Sequence, residues 1–294
     1  FVVRPYPLPM RIAFFGDVVG APGMRALAHA AGVLREQHGV GRLLANVENA
    51  ANGSGLTPDL YQKCKRAGID AMTLGDHAFK KAQIVGTLER EPDLIRPVNL
   101  PDAAAGRGML RLPLDPTDAS GPGLTVISVM GRLFMTQLPV DEPFAAIDRA
   151  LAGVGERDVV VVEVHAEATS EKIALGWHLN GRVAAVVGTH THVPTADARL
   201  LPMPGRDASL PGEGRLGVGA AGTAYITDLG MTGPKDSVLG RRADRVVKHM
   251  STAMHAAFDV ADGRPTAMGV LLEVDPGKRL CTAIERFEIG LDEV

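Results

Sequence analysis

Cysteine is nearly missing from this 294-residue chain: only Cys64 and Cys281 occur, far apart and outside any C-x-x-C pair. Two such residues exclude a disulfide framework and a cysteine-built zinc site, and they fit a reducing cytoplasm. An excess of positive charge is missing too. The 31 Lys and Arg stand against 34 Asp and Glu and are scattered, so bulk nucleic-acid binding has no electrostatic footprint. No apolar run approaches the roughly 18–20 residues of a membrane span. Residues 1–9 lack the apolar stretch of a signal peptide, so they read as a disordered extension ahead of Met10.

Several enzyme signatures are absent as well. There is no G-x-S-x-G, which leaves a serine hydrolase little support. Gly16, Gly20 and Gly23 match neither G-x-G-x-x-G nor a P-loop, and Asp17 among them would repel a phosphate unless a cation intervened. His165-Ala166-Glu167 has the H-x-E of zinc nucleobase deaminases, but no P-C-x-x-C completes that site.

What is present is a hydrophobic content of 46% and a length that can bury a sizeable core. The first half alternates short apolar runs with helical patterns, the signature of βαβ units. Strands are expected at 11–15, 43–47 and 71–74, with helices at 22–37, after Thr57-Pro58, and at 80–91. Later strands are expected at 124–129, 159–164, 183–187 and 224–227, helices at 143–151 and 169–176, and strand-like chain over 267–288. The Gly- and Pro-rich stretch 202–221 reads as an exposed insertion. With no linker between the halves, 10–294 is expected to be one domain.

The chemistry is concentrated where the expected strands end. Asp17, Glu48-Asn49, Asp76-His77, His165, and His190 with His192 each follow an apolar run. In parallel or mixed sheets such ends share one edge, where open α/β folds keep their sites. Each residue alone has an ordinary reading: Asp17 as a turn cap, Glu48 as an ion-pair partner, Asp76 as a helix cap, His77 as a loop residue, His165 as a core histidine. Together, three carboxylates and three or four imidazoles are too many for one tetrahedral ion and suit two ions sharing a carboxylate.

The order Gly-Asp, Glu-Asn, Gly-Asp-His, a lone His and Gly-Thr-His-Thr-His resembles the calcineurin-like metallophosphoesterases. Within them it is most similar to the bacterial YmdB-type 2′,3′-cyclic-nucleotide phosphodiesterases. The strings Phe15-Gly-Asp-Val-Val-Gly20, Glu48-Asn-Ala-Ala51, His165-Ala-Glu-Ala-Thr-Ser-Glu-Lys172, Gly188-Thr-His-Thr-His-Val193 and Gly230-Met-Thr-Gly-Pro234 carry that likeness. The resemblance implies an α/β (α+β) fold, a four-layer sandwich of two mixed β-sheets flanked by helices. It also implies two divalent or trivalent metal ions, iron by resemblance, with Mn, Zn or Mg compatible with the same oxygen and nitrogen donors.

On that resemblance Asp17 and His192 hold one ion with Asn49 beside it, Glu48 bridges, and Asp76, His165 and His190 hold the other. His77 is the general acid, Asn49 and His77 meet the substrate, and a metal-bridging hydroxide is the nucleophile. The implied activity is hydrolysis of small phosphodiesters such as 2′,3′-cyclic nucleotides by a cytoplasmic, self-associating enzyme. A nucleotide- or RNA-end-binding regulator with little turnover is the alternative from another class, and a phosphomonoesterase is a third reading. One departure stands out. The resembling family has Gly-Asn-His where this chain has Gly75-Asp76-His77.

Overall fold

The computed structural model describes residues 10–203 and 221–291. The expected extension, 1–9, lies outside these residues, as does most of the expected insertion at 202–221. Strand β1 (Met10–Phe15) is followed by the two-residue β2 (Asp17–Val18) and by α1 (Gly20–His38). Next come β3 (Arg42–Asn46), α2 (Pro58–Arg66), β4 (Ala71–Thr73), a 3-10 turn (Ala82–Ile84) and α3 (Val85–Arg90). Three strands follow: β5 (Leu94–Ile95), β6 (Met109–Pro113) and β7 (Gly123–Met130). Then come α4 (Pro143–Leu151), β8 (Val159–His165), α5 (Thr169–Leu179) and β9 (Ala185–Thr189). After β10 (Arg199–Leu200), β11 (Ala224–Ile226), β12 (Met231–Pro234) and α6 (Ala243–Thr252), β13 (Pro265–Asp275) and β14 (Leu280–Gly290) form a hairpin.

Among the described residues these strands build two mixed sheets. One has the order β2-β12-β13-β1-β3-β4-β5 with β14 on β13, and the other β10-β11-β9-β8-β7-β6. The period of two along each strand divides the side chains into layers. Ile12 and Phe14 of β1 face Val159 and Val161 of β8 in the core between the sheets. Ala13 and Phe15 face outward with Ala26, Leu27, Ala30 and Leu34 of α1, while Val160, Val162 and Val164 pack with Leu175 and Leu179 of α5. Both sheets are therefore covered on both faces, which is why their strands read as continuous apolar runs. The fold is the expected four-layer sandwich.

Local signals explain the helix ends. Thr57 accepts a hydrogen bond from the Leu60 N–H at 3.3 Å, and Pro58 occupies the first helical position. Gly39 ends α1 in the left-handed region at φ 62°. The helix expected over 80–91 is shorter than its pattern. Lys81 is extended, and the chain before it is held by the site: the His77 N–H donates to Glu48 and the Lys80 N–H to the His77 carbonyl. Helix α6 was not expected; only Val246 is buried in it, so its apolar pattern carries no core face.

The arrangement matters for the ends of the strands. β1, β3 and β4 run parallel, as do β7, β8, β9 and β11. Their carboxyl ends bring loops from both sheets to one place. No helix among the described residues is long and apolar enough to cross a membrane.

Candidate metal centre

The first sheet contributes Asp17, Glu48, Asn49, Asp76 and His77. Asp17, Glu48 and Asn49 are nearly inaccessible, and Asp76 is 5% exposed. Glu48 ties two loops together, since its Oε2 accepts from the Gly75 N–H at 2.6 Å and the His77 N–H at 2.9 Å. Its Oε1 lies 3.2 Å from His165 Nε2. Gly75 has no room for a side chain: a Cβ there would stand 2.2 Å from His165 Nε2.

The second sheet contributes three imidazoles, and each has one nitrogen occupied outward and the other turned inward. His165 Nδ1–H donates to Thr189 Oγ1 at 2.9 Å, and the Thr189 hydroxyl donates on to buried Glu163 at 2.9 Å. His190 Nε2 meets the Glu167 carboxylate at 3.2 Å. His192 Nδ1–H donates to the Leu239 carbonyl at 3.2 Å. The inward nitrogens are therefore His165 Nε2, His190 Nδ1 and His192 Nε2. Outward partners of this kind fix the tautomer and ring orientation of metal-ligating histidines.

The inward atoms form two adjoining groups. Glu48, Asp76, His165 and His190 each offer one ligand atom, all within 4.8 Å of one another. Asp76 Oδ1 lies 2.9 Å from His165 Nε2 and 3.3 Å from His190 Nδ1, and those two nitrogens are 3.1 Å apart. Beside them His192 Nε2 lies 3.7 Å from Asp17 Oδ1 and 3.1 Å from Asn49 Nδ2. The backbone links the groups, because the His190 N–H donates to Asp17 Oδ2 at 3.1 Å.

These residues fit cations. The donors are all carboxylate oxygen and imidazole nitrogen, and Asp76 Oδ2 is buried with no hydrogen-bond partner among the described residues. The field has the right sign. Burial disfavours a charge on His165, yet Glu48, Asp76 and Asp17 outweigh it and push its pKa well above the usual value. Burial likewise pushes the Asp76 carboxyl up, but hydrogen bonds and charge from His165, His190 and His77 hold it far below the ordinary range. Asp17 moves the other way: burial raises it despite His192 and His165 nearby. A site that draws protons into a buried cluster in this way draws metal ions by the same charges.

His77 stands at the edge, about as exposed as His190. Its Nδ1–H donates to Asn49 Oδ1 at 2.9 Å, and its Nε2 lies 3.7 Å from Asp76 Oδ2. That bond leaves the Asn49 NH2 facing His192 and Asp17, so ligation through Oδ1 would require the amide to turn over. In the observed pose Asn49 is a donor suited to an anion.

All seven expected metal ligands and His77 thus lie around one location. The residues behind them escaped sequence reasoning. Glu163, Thr189 and Asn46 brace His165, with Asn46 Nδ2 donating to Glu163 at 2.7 Å, and Glu167 braces His190. A glutamate inside a valine run was the only signal for Glu163. Glu167 was visible in the rejected deaminase motif and in the His165–Lys172 string, without a role in either.

Comparison with known proteins identifies relatives of the chain. The family model described as YmdB-like protein matches residues 13–287. A Bacillus subtilis protein named 2′,3′-cyclic-nucleotide 2′-phosphodiesterase is 39% identical over 97% of this chain and 99% of its own. The crystal structure of a hypothetical protein from Thermus thermophilus superposes with a TM-score of 0.82 at 37% identity, covering 96% of this chain and 99% of that one. The structure of a novel phosphatase from Mycoplasma pneumoniae gives 0.83 at 27% identity, covering 96% and 94%. With the family model matching nearly the whole of this chain and a relative this similar, the chain belongs to the YmdB-like family.

Proposed function

We propose that this chain is a binuclear metal-dependent phosphodiesterase acting on small phosphodiesters such as 2′,3′-cyclic nucleotides. The observation that carries the reading is the set of three imidazoles, each held from outside and aimed inward at buried carboxylates from the other sheet. The name of the Bacillus subtilis relative supports the choice of substrate.

Asp76, His165 and His190 would hold one ion, Asp17 and His192 the other, and Glu48 both, with Asn49 beside the second. Bound there, the ions supply Lewis acidity toward phosphoryl oxygens and lower the pKa of water. The chain's own groups do the rest. Outward hydrogen bonds keep the ligands rigid, and burial of the cluster excludes competing solvent. Asn49 Nδ2 presents a donor to a non-bridging phosphate oxygen. His77, anchored through Nδ1 to Asn49, would as an imidazolium give its Nε2 proton to the departing alkoxide as the P–O bond breaks. With water forming the new P–O bond as the old one breaks, opening a 2′,3′-cyclic phosphate yields a phosphomonoester.

The added charge of Asp76 favours a second reading, a nucleotide-binding regulator with little turnover. Hydrolysis of a 2′,3′-cyclic nucleotide, whose alkoxide leaving group needs a proton, separates the two. His77→Ala should lower the rate by about 10²–10⁴-fold with metal content unchanged. Binding of cyclic nucleotide by the metal-loaded protein without any hydrolysis would refute the enzyme reading.

A further inference from the structure

Two sequence strings have no task in the site so far: Thr169–Lys172 and Gly230–Pro234. They meet at a buried ion pair. Lys172, in the first turn of α5, places Nζ 2.7 Å from Asp228 Oδ2, and both side chains are 1% exposed. A pair this dry is no evident gain in stability, because desolvating two charges offsets most of their attraction.

Asp228 bonds to more than the lysine. Its Oδ2 also accepts from the Thr191 N–H at 3.2 Å and the Thr191 hydroxyl at 2.7 Å, and its Oδ1 accepts from the Gly230 N–H at 2.8 Å. Thr191 is the residue between His190 and His192. Those two histidines both have left-handed backbones, with φ of 93° and 63°. Side chains with a Cβ disfavour that region, and it persists only where the surroundings enforce it. The lysine stem also shapes the approach, since a Cβ at Gly188 would meet Lys172 Cδ at 3.0 Å and the Thr227 carbonyl oxygen at 1.7 Å.

We propose that Lys172 and Asp228 are positioning residues for the two histidines. The carboxylate grips Thr191 at both its amide and its hydroxyl, which sets the backbone on either side and so the separation of the two imidazoles. Four donors converge on Asp228, which calls for an acceptor-only ionised carboxylate. Lys172 is the counter-charge that lets it be buried. Neither residue touches the reacting atoms. The inference rests on reading the cluster as a metal centre.

Three variants test it: Lys172→Met, Asp228→Asn and Thr191→Val, the last replacing only the hydroxyl with a methyl group. Each is stripped of metal, then titrated with Mn²⁺. Thermal melting and amide hydrogen exchange over residues 188–195 are measured on the metal-free protein. The expected result is Mn²⁺ affinity about tenfold weaker or more in each, as for other groups behind metal ligands. Exchange over 188–195 should rise selectively, and Thr191→Val should lower the melting temperature least of the three. Unchanged Mn²⁺ affinity and unchanged local exchange in the folded variants would overturn the proposal, even if melting temperatures fell. Should Lys172→Met fail to fold, Thr191→Val decides. Failure of the wild-type protein to take up Mn²⁺ would instead sink the metal reading, and the exchange data would still show whether the pair holds the turn.

Discussion

Asp76→Asn changes one atom type at the heart of the cluster and gives the Gly-Asn-His expected from the sequence resemblance. The substitution is nearly isosteric, so packing around the 5%-exposed side chain should survive it. Its effect is electrostatic. The ligand atoms of the cluster lie within 4.8 Å of one another, so a phosphodiester monoanion bound there stands about 5 Å from the Asp76 charge. At an effective dielectric of about 20 that repulsion is about 3.3 kcal/mol as an upper limit. Cations at the centre and solvent at its mouth screen much of it, and a remainder of about 1.4 kcal/mol is tenfold in rate.

The assay is kcat/KM for bis(4-nitrophenyl) phosphate at saturating Mn²⁺, with the Mn²⁺ affinity of each protein measured alongside. Asp76→Asn should raise kcat/KM about tenfold and weaken Mn²⁺ binding. An unchanged or lower kcat/KM at full metal occupancy would refute the reasoning. The metal-free proteins add a check on sign. The folded-state pKa of Asp76 is depressed, so its charge stabilises the fold above the unfolded value of about 4 and ceases to do so as pH falls through the folded value. The Asn variant should therefore unfold more easily at pH 7, with the difference narrowing below about pH 4.

Two further outcomes are expected. Gly75→Ala drives a Cβ to 2.2 Å from the His165 ring and should weaken Mn²⁺ binding on the order of 100-fold, read by calorimetric titration. Asp158, at 2% side-chain exposure, accepts two hydrogen bonds from Arg111 and one each from Gly123 and Thr125. Burial pushes its pKa up but these partners prevail and hold it low, so its contribution is present at neutral pH and lost in acid. Asp158→Asn should cost about 2 kcal/mol in urea unfolding at pH 7, with the gap closing below about pH 4.

The residues with inward-facing ligand atoms were legible because each sits just past an apolar run, and a parallel sheet aligns such ends. β1, β3, β8 and β9 were readable within a residue or two for the same reason: burial on both faces leaves an unbroken apolar signature. What supports the ligands was not legible. Glu163 finds Asn46 at a separation of 117 positions, and nothing local announces the partnership. Lys172 reads as an ordinary helix lysine until Asp228 is seen beside it. The C-terminal hairpin was expected as strand, but not its antiparallel insertion against β1, which makes that sheet mixed. Helix α6 was invisible because Val247, Met250 and, just beyond it, Met254 are exposed, leaving no core-facing stripe to detect.

Anomalous diffraction at the manganese edge from Mn²⁺-soaked crystals tests the two-ion centre most directly. Two peaks are expected, one between Asp17 and His192 and the other among Asp76, His165 and His190, with Glu48 reaching both. A single peak, or peaks away from these side chains, would contradict a binuclear site at this convergence of loops.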